Sequence, residues 1–255
     1  MRYFVKLAYN GTPFFGWQIQ PQQISVQEVL EHTFSLLLKE KIEITGCGRT
    51  DTGVHAREYF AHFDIDRTLY ENELTQLVFK LNSFLPKEIV IYEIRLVSPQ
   101  AHARFDALSR TYCYYLDIEK DPFTYPYSYR VFEKLDIETM NQAATLLLQN
   151  KNFECFSKVH TEVHHFECEV TESIWYKENN QLIFRITANR FLRNMVRSIV
   201  GTLLMVGKGK MGIEEFQKVI DVRDRRNAGM SVPAHALFLE KVRYHEGVLE
   251  NIELK

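Results

Sequence analysis

Twice along this chain, periodic segments follow one another in the order strand, helix, strand, strand, helix, strand. The first set reads as a strand over 2–9, a helix over 26–39, strands over 41–45 and 58–65, a helix over 71–82 and a strand over 88–97. The second reads as a strand over 109–118, a helix over 137–149, strands over 166–177 and 181–188, a helix over 190–206 and a strand over 236–245, with one extra helix over 213–222. Strands are recognised by two-residue alternation and by β-branched or aromatic runs, and helices by apolar residues three and four apart. The order is that of the split βαβ arrangement, so an α+β chain of two halves is expected, 1–105 and 106–255. Their antiparallel sheets should abut and leave a cleft at the junction. No internal repeat is visible, and the symmetry rests on element order alone.

Local signals support several boundaries. Ser25 and Glu28 have the spacing of a capping box at the start of the first helix. Leu85-Pro86 separates the 71–82 helix from the next strand, and Glu178-Asn179-Asn180 reads as a hairpin turn. The loop-like stretch from Ser98 to Asp106, with His102 and Arg104, is the expected junction between halves. Apolar content of 45% and charged content of 25% suit a globular protein with ample core. The longest apolar stretch, Ile199 to Val206, contains Gly201 and Thr202 and is too short to span a bilayer. Met1 to Tyr9 alternates like a strand rather than a secretory signal, so a cytoplasmic protein with no membrane partner is expected.

The densest chemical signal is Gly46-Cys47-Gly48-Arg49-Thr50-Asp51-Thr52-Gly53-Val54-His55-Ala56. It places one carboxylate, Asp51, on a short connection between two expected strands, where reacting groups are often held. A guanidinium stands two residues before it and an imidazole four after. The glycine spacing is not that of a dinucleotide site, and no Lys-Ser or Lys-Thr pair closes a phosphate loop. A plainer reading makes Asp51 a turn residue capping a backbone group. His55, leading into the next strand, reads as structural rather than catalytic.

Net charge is −2, which argues mildly against nucleic-acid binding, yet the basic residues are unevenly placed. Arg185, Arg190, Arg193, Arg197, Lys208 and Lys210 fall between Gln181 and Gly212 with no acid among them. On a helix over 190–206, Phe191, Leu192, Met195, Val196, Ile199, Val200, Leu203 and Leu204 form the buried stripe, and Arg190, Arg193 and Arg197 an adjacent one. Arg197, between apolar neighbours, is expected in a tight environment and in need of a carboxylate. Cys155, His160, His164, His165 and Cys168 contain zinc-ligand types, but their spacing fits no common zinc pattern, and no metal is expected. The aromatic loop Tyr125-Pro126-Tyr127-Ser128-Tyr129 reads as ring packing over a sheet edge in preference to base stacking.

The string Gly-Arg-Thr-Asp-x-Gly-Val-His at 48–55 closely resembles the active-site motif of the tRNA pseudouridine synthase A family. Tyr9-Asn10-Gly11, Phe15-Gly16-Trp17-Gln18, Ser25-Val26-Gln27-Glu28, Ala101-His102-Ala103-Arg104-Phe105, Arg110-Thr111-Tyr112, Phe153-Glu154-Cys155-Phe156 and Met195 to Gly201 match further family motifs in order. Cys47 and Thr52 depart from the commonest family residues, conservatively in volume. The segment His160-Thr161-Glu162-Val163-His164 is less typical.

The resemblance implies a pseudouridine synthase fold of two ferredoxin-like, RRM-like βαββαβ halves with a central active-site cleft. It implies isomerisation of uridine to pseudouridine at positions 38, 39 and 40 of the tRNA anticodon stem-loop, without a cofactor, by a homodimer. That reaction breaks the bond from C1′ to N1 and rejoins the base through C5. A carboxylate can attack C1′, take a sugar proton or add to C6, and residue order does not choose among these. By resemblance Asp51 is the nucleophile, Arg197 is its partner, and Tyr112 contacts the target base. Arg49 fills the gap left when the base is extruded from its stem. Judged only as a residue on a strand, Tyr112 reads as core in preference to a site residue. His102, Arg104, Arg190, Arg193, His160 and His164 are assigned to RNA contact. A catalytically silent RNA-binding module of the same fold and a zinc enzyme are the competing readings.

Overall fold

The structure, a computed structural model, describes residues 1–158 and 165–249. Contacts divide the chain into two units, the first made of Met1–Leu108 together with the described residues from Leu239 onward, the second of Ser109–Phe238.

The first unit follows the order β1 (Arg2–Tyr9), α1 (Val26–Leu38), β2 (Thr45–Gly46), β3 (His55–Asp64), α2 (Glu71–Phe84) and β4 (Ile89–Val97). Strand β1 lies between β4 and β3, antiparallel to both, and β2 pairs with β3. Ser25 Oγ accepts the backbone N–H of Glu28 at 3.2 Å and caps α1, which is the serine half of the expected capping box. The apolar stripe of α1 lays Phe34 edge-on against Phe63 of β3, with ring centroids 5.1 Å apart, and Phe63 stacks on Tyr3 of β1. All three rings are fully buried.

One expected strand does not form. Over 41–45 only Thr45 joins a ladder. Ile42 and Ile44 are buried and Glu43 is exposed, so the alternation is real, but the backbone donors go elsewhere. Ile42 N–H bonds Ser35 Oγ at 2.8 Å and Ile44 N–H bonds Glu31 Oε1 at 2.9 Å, both on α1. Side chains of a neighbouring helix satisfy this segment in place of a sheet.

The second unit follows β5 (Ala107–Asp117, of which it holds Ser109 onward), β6 (Tyr129–Arg130), α3 (Ile137–Gln149), β7 (Val170–Glu178), β8 (Gln181–Ala188), α4 (Met195–Gly207) and α5 (Ile213–Val222). Strand β8 lies between β5 and β7, antiparallel to both, and β6 runs parallel to β5. The β7–β8 turn is Asn179-Asn180, with Asn179 at φ 51°. Asn141 of α3 pins β7 by bonding both backbone groups of Trp175, at 2.8 and 3.0 Å.

The helix expected over 190–206 starts instead at Met195, because Asn194 is left-handed, at φ 66°. Asn tolerates that conformation better than most residues, and its amide is tied to Ser231 Oγ at 2.6 Å. Beyond the helix, Lys208 pairs with Glu133 at 2.7 Å.

The last strand, β9 (Leu237–Tyr244), also corrects the expected division at residue 106. From Leu239 it belongs to the first unit, beside β3. Val242 N–H bonds Glu58 Oε1 at 3.1 Å, Arg57 pairs with Glu240 at 3.2 Å, and the Tyr244 hydroxyl donates to Ala103 O at 2.6 Å. Tyr244 is also edge-on to Phe4 and Phe60, at 5.8 and 5.3 Å. These contacts outweigh sequence proximity to the second unit. No described helix is long and apolar enough to cross a membrane.

Candidate active site

Asp51 sits half-buried on the connection between β2 and β3. Val54 N–H bonds Asp51 O at 3.1 Å and Gly53 has φ 78°, so residues 51–54 make a tight turn whose third position calls for glycine. At the end of this turn His55 is buried, and its Nδ1 accepts the Gly11 N–H at 3.0 Å. An imidazole so placed ties the loop to the segment after β1, in keeping with its structural reading. On the other side, the carbonyl of Thr50 accepts Trp17 N–H at 3.2 Å. Gly16, at φ 84°, brings its backbone so close that an added Cβ would lie 2.4 Å from that carbonyl. Arg49 is exposed on the same loop. The loop thus presents a carboxylate and a guanidinium from one fixed stretch of backbone.

The 98–106 connection of the first unit is also ordered from within. His102 Nδ1 accepts the N–H groups of Arg104 and Phe105, at 3.1 and 3.3 Å. Its ring lies 4.2 Å from that of Phe105, and Arg104 lies over the Phe105 ring at 5.7 Å. Beneath it, buried His62 accepts Ala103 N–H on Nδ1 at 3.1 Å and meets the His102 ring edge-on at 4.7 Å. His102 and Arg104 are therefore brought together, and His102 works as the cap of its own turn.

Burial, reinforced by the nearby Arg2 and His102 charges and opposed by Asp64 and Asp106, pushes His62 down to about 4. Folding therefore favours the neutral imidazole. Its contribution is complete above the unfolded value of about 6.5 and is lost as pH falls from there through about 4. Discounted for partial solvent screening, the loss from this group between pH 7 and pH 4 should be on the order of 2 kcal/mol by chemical denaturation of wild type. His62→Asn, whose amide oxygen can accept the same N–H, should flatten that slope. Equal slopes in both proteins would contradict the assignment.

In the second unit Tyr112 lies on β5 opposite Ile186, half-buried, its ring edge-on to Phe191 at 5.1 Å. Its neighbour two residues on, Tyr114, is fully buried and donates to Pro233 O at 2.9 Å. Burial raises the Tyr114 phenol far above its ordinary value, so it stays neutral. Tyr112 is thus the more exposed of the two tyrosines.

Arg197 is half-buried on α4, and its Nε donates to Val232 O at 2.7 Å while Val232 N–H bonds Arg197 O at 3.2 Å. The same loop is held by Asn194 and Arg225 through Ser231 Oγ, and by Gly229 N–H on Thr202 Oγ1 at 2.9 Å. The Arg197 guanidinium is oriented by this frame.

Arg190 and Arg193 do not share its helical face, since both precede Met195. Arg190 meets the His165 ring, and Arg193 is exposed with its carbonyl bound by Lys158 N–H at 3.0 Å. His160 and His164 lie outside the described residues. Cys155 and Cys168 are buried, and burial pushes their thiols up to about 12 and about 11, so both stay protonated at neutral pH. Ring packing does not account for Tyr125, which is 68% exposed, whereas Tyr127 meets Phe238 edge-on at 6.2 Å.

Local sequence does not mark the supports of the Asp51 loop. Tyr9 and Trp17 stand within motifs of the resemblance, but nothing in their spacing says which residues they touch.

A family model described as tRNA pseudouridine synthase matches residues 143–245. Proteins named tRNA pseudouridine synthase A match almost end to end. That of Parabacteroides distasonis is 49% identical over 96% of both chains, and that of Porphyromonas gingivalis 49% over 95% of this chain and 97% of its own. That of Bacillus subtilis is 35% identical over 96% of this chain and 99% of its own. The chain belongs to the tRNA pseudouridine synthase A family.

Proposed function

We propose that this protein isomerises uridine to pseudouridine at positions 38, 39 and 40 of the tRNA anticodon stem-loop, with Asp51 as the nucleophile. The observation that carries the reading is a half-buried carboxylate on a backbone fastened on both sides, in a chain of this family. In the isomerisation the C1′–N1 bond breaks and a C1′–C5 bond forms. The proton leaves C5 and N1 gains one, so the reaction is redox-neutral and draws on no cofactor.

Tyr112 contacts the target base. Arg49 occupies the gap left by the extruded nucleotide, and Arg197 is assigned to substrate binding. Tyr112 and Arg49 are accessible, as those roles require. His102, Arg104, Arg190, Arg193, His160 and His164 are assigned to RNA contact. Two ferredoxin-like halves, a homodimer and a cytoplasmic location belong to the same reading, supported by the family alone. A silent RNA-binding module is not favoured, because Asp51, Tyr112 and Arg197 are all present.

The test is release of tritium to water from tRNA labelled at C5 of uridine. Purified protein should release it in excess chelator with nothing added. Loss of release on chelation, restored by zinc, would overturn the cofactor-free reading.

A further inference from the structure

The residue before Asp51 is held by its side chain as well as its backbone. Thr50 is buried, and its hydroxyl lies 2.9 Å from the hydroxyl of Tyr9, a residue of β1 far away in sequence. Tyr9 is itself buried, tilted against Trp17 at 6.2 Å and edge-on to Tyr59 at 5.5 Å, while Trp17 and Tyr59 stack at 4.1 Å. Tyr59 donates its hydroxyl to Gly48 O, and Trp17 N–H bonds Thr50 O. One aromatic cluster therefore grips the loop at Gly48 and twice at Thr50, immediately before the carboxylate.

The strand pairing of β2 and the turn at 51–54 already fix where the loop begins and ends. The Tyr9–Thr50 bond adds little to that. What it adds is a tie from Thr50 to β1 that restrains the residue leading directly into Asp51. A reacting group displaced by about 1 Å can lose about 10²-fold in rate, so such a contact should affect rate far more than folding.

We propose that the Tyr9–Thr50 hydroxyl pair is a positioning device for the Asp51 carboxylate. The proposal rests on Asp51 being the reacting group, and its test separates the two. Tyr9→Phe and Thr50→Val remove one hydroxyl each and keep the volume. Thr50→Ser keeps the hydroxyl and serves as the rescue. Single-turnover rate at saturating tRNA, tRNA affinity and melting temperature are measured for these, the Tyr9→Phe/Thr50→Val double variant and Asp51→Asn.

Each single variant should lose about 10- to 100-fold in rate. The double variant should lose no more than the worse single, because both remove one contact. Affinity should stay within about two-fold and melting within about 4 °C of wild type, and Thr50→Ser should recover most of the rate. Rates within two-fold of wild type alongside an inactive Asp51→Asn would overturn the positioning role and leave Asp51 in place. A rate loss that tracks lost affinity or lost melting temperature would also overturn it. Turnover by Asp51→Asn would instead bring down the assignment beneath it.

Discussion

Asp51→Asn is expected to fold, bind tRNA and form no pseudouridine. The amide has nearly the shape of the carboxylate. The contacts that fasten the loop run through the backbone of Asp51, through Thr50 and through His55, and all of these survive the change. What is lost is a group able to attack carbon or take a proton. The rate should fall on the order of 10³-fold or more, the scale seen when a reacting side chain is removed from an enzyme. Melting temperature and tRNA affinity should remain near wild type. Turnover above a mock-purified control would remove Asp51 from the chemistry. Unfolding of the variant would return it to the role of a turn residue.

Tyr112→Phe separates a packing ring from a working hydroxyl. The ring is half-buried against Phe191, and Phe preserves that contact. If Tyr112 only fills space, stability and turnover should barely change. With its hydroxyl acting on the sugar or base of the target nucleotide, the single-turnover rate should fall about 10²-fold or more while tRNA affinity holds. Equal turnover in the two proteins would place Tyr112 with the core residues of β5.

The sequence made the connection around Asp51 readable because glycine spacing and flanking strand patterns are local signals. Helix α1 was equally legible, since Ser25 stands directly before it and accepts the N–H of Glu28 three residues on. Errors arose where distant residues override the local pattern. Lys41 to Ile44 alternates like a strand, yet Ser35 and Glu31 take its backbone donors. Residues 190–194 carry helical spacing, but Asn194 turns left-handed where it reaches Ser231, so Arg190 and Arg193 lie off the helix that holds Arg197. Strand β9 comes late in the chain and joins the first unit through Glu58, Arg57 and Ala103. The fastening of Thr50 by Tyr9 was likewise invisible, because periodicity cannot pair two hydroxyls forty-one residues apart.

The central claim is that Asp51 isomerises uridine within the anticodon arm of tRNA. Its most direct test is to incubate undermodified tRNA with wild type and with Asp51→Asn, then map pseudouridine nucleotide by nucleotide. Pseudouridine is expected at positions 38, 39 and 40 with wild type and none there with the variant. Pseudouridine formed only elsewhere by wild type, or formed equally by the two proteins, would contradict it.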